Sequence, residues 1–397
     1  MKKATHLLEI LHTRRVVVCV GTGGVGKTTI AAALAIAAAR SGRRALVVTI
    51  DPARRLADAL GGADLGNDPR ELTGDPLIEA SNGSLHAVML DPKSTLDDMV
   101  GRFSSSPEAR DRILDNRLYQ HISGALAGSS EYAAMERVSE LLDGGDFDIL
   151  VVDTPPAQHA FDFLDAPRRL LEFFESRIVQ VLVQPALRVG RLGLGVFQRG
   201  TRRLISLIEG FSGLSFLEDL SDFLLAFDEI STRFQNRAVE LRRVLTGPES
   251  AFVLVGAPRP DLSQSGAALL ERLISEGVPL AGVIINRMRT WPGGGDVPTA
   301  LVEFEGELQG TDRLAERLPR SSEPQRDRAK AAIQAAREYA LGVTCDRHQV
   351  SELREAAVDR HLFFQWIPQL ERDVHDLGGL DRVVHALFDP ANETRHD

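Results

Sequence analysis

The stretch VVVCVGTGGVGKTTI, residues 16–30, decides the fold. Five apolar residues, Val16 to Val20, lead into GTGGVGKTT at residues 21–29, and an alanine-rich helical run begins at Ile30. A strand, a glycine loop and a helix in that order are the context in which G-x-x-x-x-G-K-[ST] is a phosphate loop rather than a chance match. The glycines let successive backbone N–H groups point at phosphate oxygens, and the positive end of the following helix adds to their field. Gly23, Gly24, Val25, Gly26, Lys27, Thr28 and Thr29 are the expected nucleotide-binding run. Lys27 is spaced to reach the β- and γ-phosphates, and Thr28 to place its hydroxyl on Mg²⁺.

Working outward, the apolar runs Ala45–Ile50, Leu85–Leu90, Asp148–Val152, Ala251–Val255, Ala281–Ile285 and Leu362–Ile367 read as further strands, separated by helical stretches. That alternation predicts an α/β fold, a doubly wound, mainly parallel sheet. In such sheets ligands sit at the carboxyl ends of the strands. Gly21, Asp51, Asp153 and Asn286 each fall just past a strand end. Asp153 closes FDILVVD and takes the position at which a carboxylate holds Mg²⁺; its bland alternative is a turn aspartate. Asp51 is placed to orient or deprotonate the water that attacks the γ-phosphate, and it can serve as a helix N-cap as well. Asn286 can exchange hydrogen bonds with a purine edge, although asparagine is also common in turns. With no Asn-Lys-x-Asp guanine-reading sequence in the chain, adenine is the expected base, walled by Ile367, Pro368, Gln369 and Leu370.

Residues 1–91, 147–160 and 248–397 are expected to form the nucleotide-binding core, and 92–146 with 161–247 a helical subdomain inserted into it. Within the second insertion Leu170, Phe173, Phe174, Ile178, Val181 and Leu182 make an apolar stripe, which suits either a subdomain core or a groove for an apolar client. GRLGLGVFQRG at 190–200 lacks a Lys-Ser/Thr pair and reads as a connector, and residues 311–358 read as charged, amphipathic, solvated helices.

Composition narrows the function. The 397 residues carry 46 basic and 56 acidic side chains, a net charge of −10, which disfavours nucleic acid as a ligand. Only Cys19 and Cys345 are present, so neither a disulfide framework nor a C-x-x-C zinc site is available. No run approaches the ~20 apolar residues of a membrane span, and a soluble cytoplasmic protein is expected.

The phosphate loop resembles the deviant Walker A of the SIMIBI P-loop ATPases. DPARRLADAL and DTPPAQHAFDFL are similar to switch I and switch II of the arsenite-pump (ArsA) and tail-anchored-protein targeting ATPases. FVLVGAPRP, GVIINR and IPQLERDVHDL fit the same group in the same order. The resemblance implies an Mg²⁺-dependent ATP hydrolase that dimerises with itself or a paralogue, and a helical subdomain that opens and closes with ATP state and binds a hydrophobic client. It implies Lys27, Asp51 and Asp153 as catalytic residues, Thr28 and Asp153 as metal ligands, Asn286 and Pro368 at adenine, and His159 at the switch II histidine, where a structural histidine is the equal alternative. A slow regulatory switch is the other reading, and a ParA/MinD-like positioning role is weaker. The chain departs from the family pattern in three places. Thr22 replaces the signature lysine that reaches a partner's phosphates, with Arg54 or Arg55 as candidate substitutes. Ala157-Gln158 replaces Thr-Gly in switch II. The two scattered cysteines supply no arsenite thiolate cluster.

Overall fold

The computed structural model describes residues 6–50, 55–62, 64–122, 129–155, 232–233, 236–237, 239–260, 262–292, 314–316 and 324–389. Its centre is β1 (Val16–Val20), buried along its whole length. Around it runs an eight-stranded sheet in the order β3-β4-β2-β5-β1-β6-β7-β8. The other strands are β2 (Arg44–Thr49), β3 (Arg70–Leu72), β4 (Ser84–Met89), β5 (Ile149–Asp153), β6 (Ser250–Gly256), β7 (Leu280–Met288) and β8 (Phe363–Pro368). Every pairing is parallel except β3 with β4. The chain moves to one side of β1 with β2 to β5 and to the other side with β6 to β8, so the carboxyl end of β1 lies at the point where the winding reverses.

The helices are α1 (His6–Thr13), α2 (Lys27–Arg40), α3 (Arg55–Ala59), α4 (Pro76–Ser81), α5 (Pro92–Phe103), α6 (Pro107–Leu114), α7 (Arg117–Ile122), α8 (Ser129–Asp143), α9 (Leu262–Ser275), α10 (Gln325–Val358) and α11 (Leu377–Leu387). Alternation along the strands divides them between two faces. Val17, Cys19, Ala45 and Val47 share one core with Leu7 and Leu11 of α1, α2, and Leu380, Val383 and Leu387 of α11. Val16, Val18, Leu46 and Val48 share the other with Leu96 and Met99 of α5, Tyr132 and Val138 of α8, Leu270 of α9 and Leu353 of α10. Each fully buried valine contributes roughly 2 kcal/mol of transfer free energy. Helix α2 is buried continuously from Ile30 to Ala39. Its alanines bring its axis close to the sheet and favour the helix at the same time.

The expected mainly parallel sheet is present, with two differences. The antiparallel edge strand β3 goes unanticipated because Arg-Glu-Leu is short, polar and largely exposed. Helix α10 is not simply solvated: Ala329, Ala340, Val343, Val350, Leu353 and Ala357 are buried, and so is Asp346. The spacing of Val343, Val350, Leu353 and Ala357 keeps them on one stripe that the surrounding charges mask in sequence. Helices α5 to α8, within residues 92–146, lie on the sheet and contribute to its core. Residues 161–231, with the apolar stripe and the 190–200 connector, lie outside the described residues. Among the described residues no helix is long and apolar enough to cross a membrane.

Candidate active site

The loop after β1 needs glycine for reasons of space and of dihedral angle. A Cβ on Gly21 would stand 2.1 Å from the Val255 carbonyl oxygen of β6, and one on Gly26 would stand 2.2 Å from Asn286 Nδ2. Gly24 and Gly26 hold φ of 75° and 93°, in the left-handed region that side chains disfavour. Gly26 caps α2 with no side-chain hydrogen bond, so the first amides of that helix are left to face an anion.

Lys27 is buried and bends back across this loop. Its Nζ donates to the carbonyls of Gly21 at 3.0 Å and Thr22 at 3.1 Å. One residue on, Thr28 Oγ1 donates to Asp153 Oδ2 at 2.7 Å, and Thr49 Oγ1 at the end of β2 donates to the same oxygen at 3.0 Å. The sheet register sets this junction, since Asp153 lies beside Cys19 of β1 on one side and Thr49 of β2 on the other. Burial first, and the Asp153 charge second, push the Cys19 thiol far up, so it stays protonated in the core. Thr154 Oγ1 donates to the Cys19 carbonyl at 2.8 Å and ties β5 to β1 at this edge.

The opposite wall comes from β7 and β8. Their pairing shifts register between Ile285 and Met288, a bulge at Asn286-Arg287, and Arg287 takes a φ of 61°. The bulge turns Asn286 toward the loop, where Nδ2 donates to the Val25 carbonyl at 3.0 Å. Beyond it, buried Asp346 of α10 accepts from the Arg289 backbone N–H at 2.9 Å, from Nε at 3.1 Å and from Nη2 at 2.8 Å. Gln369 N–H donates to the Met288 carbonyl at 2.8 Å and fixes the turn after Pro368.

The two walls enclose a cleft of about 410 Å³. Gly23, Gly24, Gly26, Lys27, Thr28, Thr29, Asn286 and Pro368 line it. Asp153 lies beneath Thr28, and Val25 buries its side chain while its carbonyl serves Asn286. Arg55, a candidate cation, also lines the cleft, whereas Asp51, Arg54, Ala157, Gln158 and His159 lie outside the described residues. Sequence reasoning missed Thr49, Thr154, Arg287 and the Arg372–His375 turn as parts of this neighbourhood. Thr49 had a usable signal, a hydroxyl closing a strand that runs beside the Asp153 strand.

The donor set suits a hard divalent ion. A hydroxyl and a carboxylate oxygen meet at 2.7 Å beside the glycine loop. Mg²⁺ takes few protein oxygens and draws the rest of its shell from phosphate and water. Among the described residues no group of His, Cys, Asp and Glu is assembled to hold a metal by itself.

A family model, Anion-transporting ATPase, matches residues 14–290, from just before β1 to just past the Asn286 bulge. ATPase get3 of Neurospora crassa is 24% identical over 298 residues, covering 75% of this chain and 79% of that protein. ATPase ARSA2 of Chlamydomonas reinhardtii is 31% identical over 207 residues, 52% of this chain and 49% of that protein. ATPase GET3B of Arabidopsis thaliana is 23% identical over 316 residues, 75% of this chain and 69% of that protein.

Proposed function

This chain belongs to the anion-transporting ATPase family and is an ATP hydrolase, and from that premise we propose how its residues divide the work. Lys27 and the leading amides of α2 bind the β- and γ-phosphates. Thr28 and Asp153 hold Mg²⁺, which when bound neutralises charge that gathers on the phosphates during transfer. Asp51 orients the attacking water and accepts its proton. Asn286 and Pro368 contact adenine from the far wall. The observation that carries this reading is the 2.7 Å contact between Thr28 Oγ1 and Asp153 Oδ2, directly beside the buried Lys27.

The same reading extends to assembly. Two subunits, identical or paralogous, pair across their nucleotide faces, and ATP state sets how far they close. The apolar stripe of the 161–247 insertion then takes a hydrophobic client segment. Thr22 favours a slower, switch-like enzyme, because a hydroxyl carries no charge to a partner's phosphates. Losing a charged transition-state contact of that kind costs roughly 3 kcal/mol, a hundredfold in rate. Steady-state ATP hydrolysis and light-scattering mass of the wild-type protein beside Thr22→Lys test this. The expected result is a dimer with ATP and a large gain in turnover for Thr22→Lys. A monomer under all nucleotide conditions would remove the dimer from the account.

A further inference from the structure

Two guanidinium groups lie against the glycine loop. Arg259, three residues past β6, donates through Nη1 to the Gly23 carbonyl at 3.1 Å and through Nη2 to the Gly24 carbonyl at 3.4 Å. Arg287, on the β7 bulge, donates through Nη1 to the Gly24 carbonyl at 3.5 Å and lines the cleft. Three observations set this pair apart from ordinary surface arginines. The two residues come from different strands and converge on consecutive glycine carbonyls. Arg287 holds a left-handed φ of 61°, which costs an L-residue energy and persists where the surroundings enforce it. Arg259 Nη2 lies 3.2 Å from where a Gly24 Cβ would be, so the fork lies close against the loop.

We propose that Arg259 and Arg287 form a two-arginine clamp that lends positive charge to the glycine loop of their own chain. The proposal rests on the nucleotide reading of the cleft and names the source of positive charge within it. The chemistry follows from peptide polarity. A cation on the carbonyl of Gly23 draws electrons from that peptide and strengthens the Gly24 N–H as a donor; one on the Gly24 carbonyl does the same for the Val25 N–H. Those amides belong to the turn that faces the phosphates. The clamp therefore favours the more highly charged ligand, a nucleoside triphosphate over a diphosphate. It is a positioning device unless a guanidinium also reaches a phosphate oxygen, which Arg287 is placed to do from the lip of the cleft.

The test compares the full-length wild-type protein with Arg259→Gln/Arg287→Gln, which keeps amide donors but removes the charge, and Arg259→Lys/Arg287→Lys, which keeps the charge but loses the fork. ATP and ADP affinities are read by fluorescence titration, with kcat, KM and the melting midpoint alongside. The expected result is about a tenfold loss of ATP affinity and of kcat in the glutamine pair, with ADP affinity changed about threefold or less and the lysine pair close to wild type. An unchanged ATP-to-ADP preference and kcat in the glutamine pair overturns the proposal. Equal losses in the glutamine and lysine pairs with a lowered melting midpoint overturn it too, because that is the mark of a structural contact. A wild-type protein that binds no ATP removes the nucleotide reading first, and is seen before any variant is made.

Discussion

The two walls of the cleft are built on different principles. The phosphate wall is backbone and buried: glycines forced by close approach to Val255 and Asn286, a helix start left uncapped, and a hydroxyl–carboxylate pair fixed by strand register. The far wall is made of side chains on and just past a bulge: Asn286 turned inward, Arg287 in a left-handed conformation, and Arg289 paired with a buried Asp346. The first wall is fixed by backbone packing and strand register, while the second depends on side-chain contacts, Asn286 to Val25, Arg287 to Gly24 and Arg289 to Asp346. On the proposed reading, the first wall binds the common phosphate and the second chooses the base.

Breaking the phosphate wall has the largest expected effects. Asp153→Asn keeps the shape and removes the charge, so hydrolysis falls by about a hundredfold or more with a smaller change in nucleotide affinity, as single-turnover rates will show. Gly26→Ala strikes both walls at once. It places a methyl into Asn286 and strains a φ of 93°, and ATP affinity measured by calorimetry falls by about tenfold or more. Recovery in Gly26→Ala/Asn286→Ala to the affinity of Asn286→Ala alone would show that the clash, and not the dihedral angle, dominates.

The far wall yields separately. Asp346→Ala strands the half-buried Arg289 guanidinium and costs roughly 2 kcal/mol in denaturant unfolding, less than a fully buried pair because the arginine reaches solvent. It should relax the preference for ATP over GTP more than it slows turnover. Asn286→Ala should weaken ATP binding by about threefold to tenfold while leaving the Thr28–Asp153 contact in place.

The smallest effect lies at the far end of α2. Arg40 pairs with Asp75 and with Asp381, each at 2.7 Å. Burial raises the Asp75 pKa, but the Arg40 guanidinium and the Ile78 and Leu77 amides outweigh it and hold the carboxyl below its ordinary range. At Asp148 the Arg44 guanidinium is the leading cause of the same downward shift. Both carboxyls then bind protons more readily unfolded than folded. Their stabilisation is complete above the unfolded carboxylate pKa of about 4 and is lost as pH falls through the lower folded values. Thermal melts from pH 6 to 3 should show the loss, and Arg40→Gln should flatten it.

How much of this was legible in the sequence follows the same division. The phosphate wall was readable because it is continuous: Val16 to Thr29 carries strand, turn and helix start in one stretch, and Asp153 closes an apolar run that pairs with it. The far wall was only half readable. Asn286 and Pro368 stood out at strand ends, but the bulge between Ile285 and Met288 exists only once β7 pairs with β8. Asp346 is one of many charges on α10, and its burial against Arg289 depends on contacts 57 residues apart. Arg259 stands in FVLVGAPRP with no visible task, because nothing local in the sequence shows that the chain leaving β6 delivers it to the glycine carbonyls. The edge strand β3 was lost to its own brevity.

The central claim is that Lys27, with the amide cradle and the Thr28–Asp153 pair, holds a magnesium-bound triphosphate. Calorimetric titration of ATP with Mg²⁺ into the wild-type protein and into Lys27→Ala tests it most directly. Saturable binding, one ATP per chain, that falls by about a hundredfold or more in Lys27→Ala is the predicted result. Equal affinity in the two proteins would contradict the account.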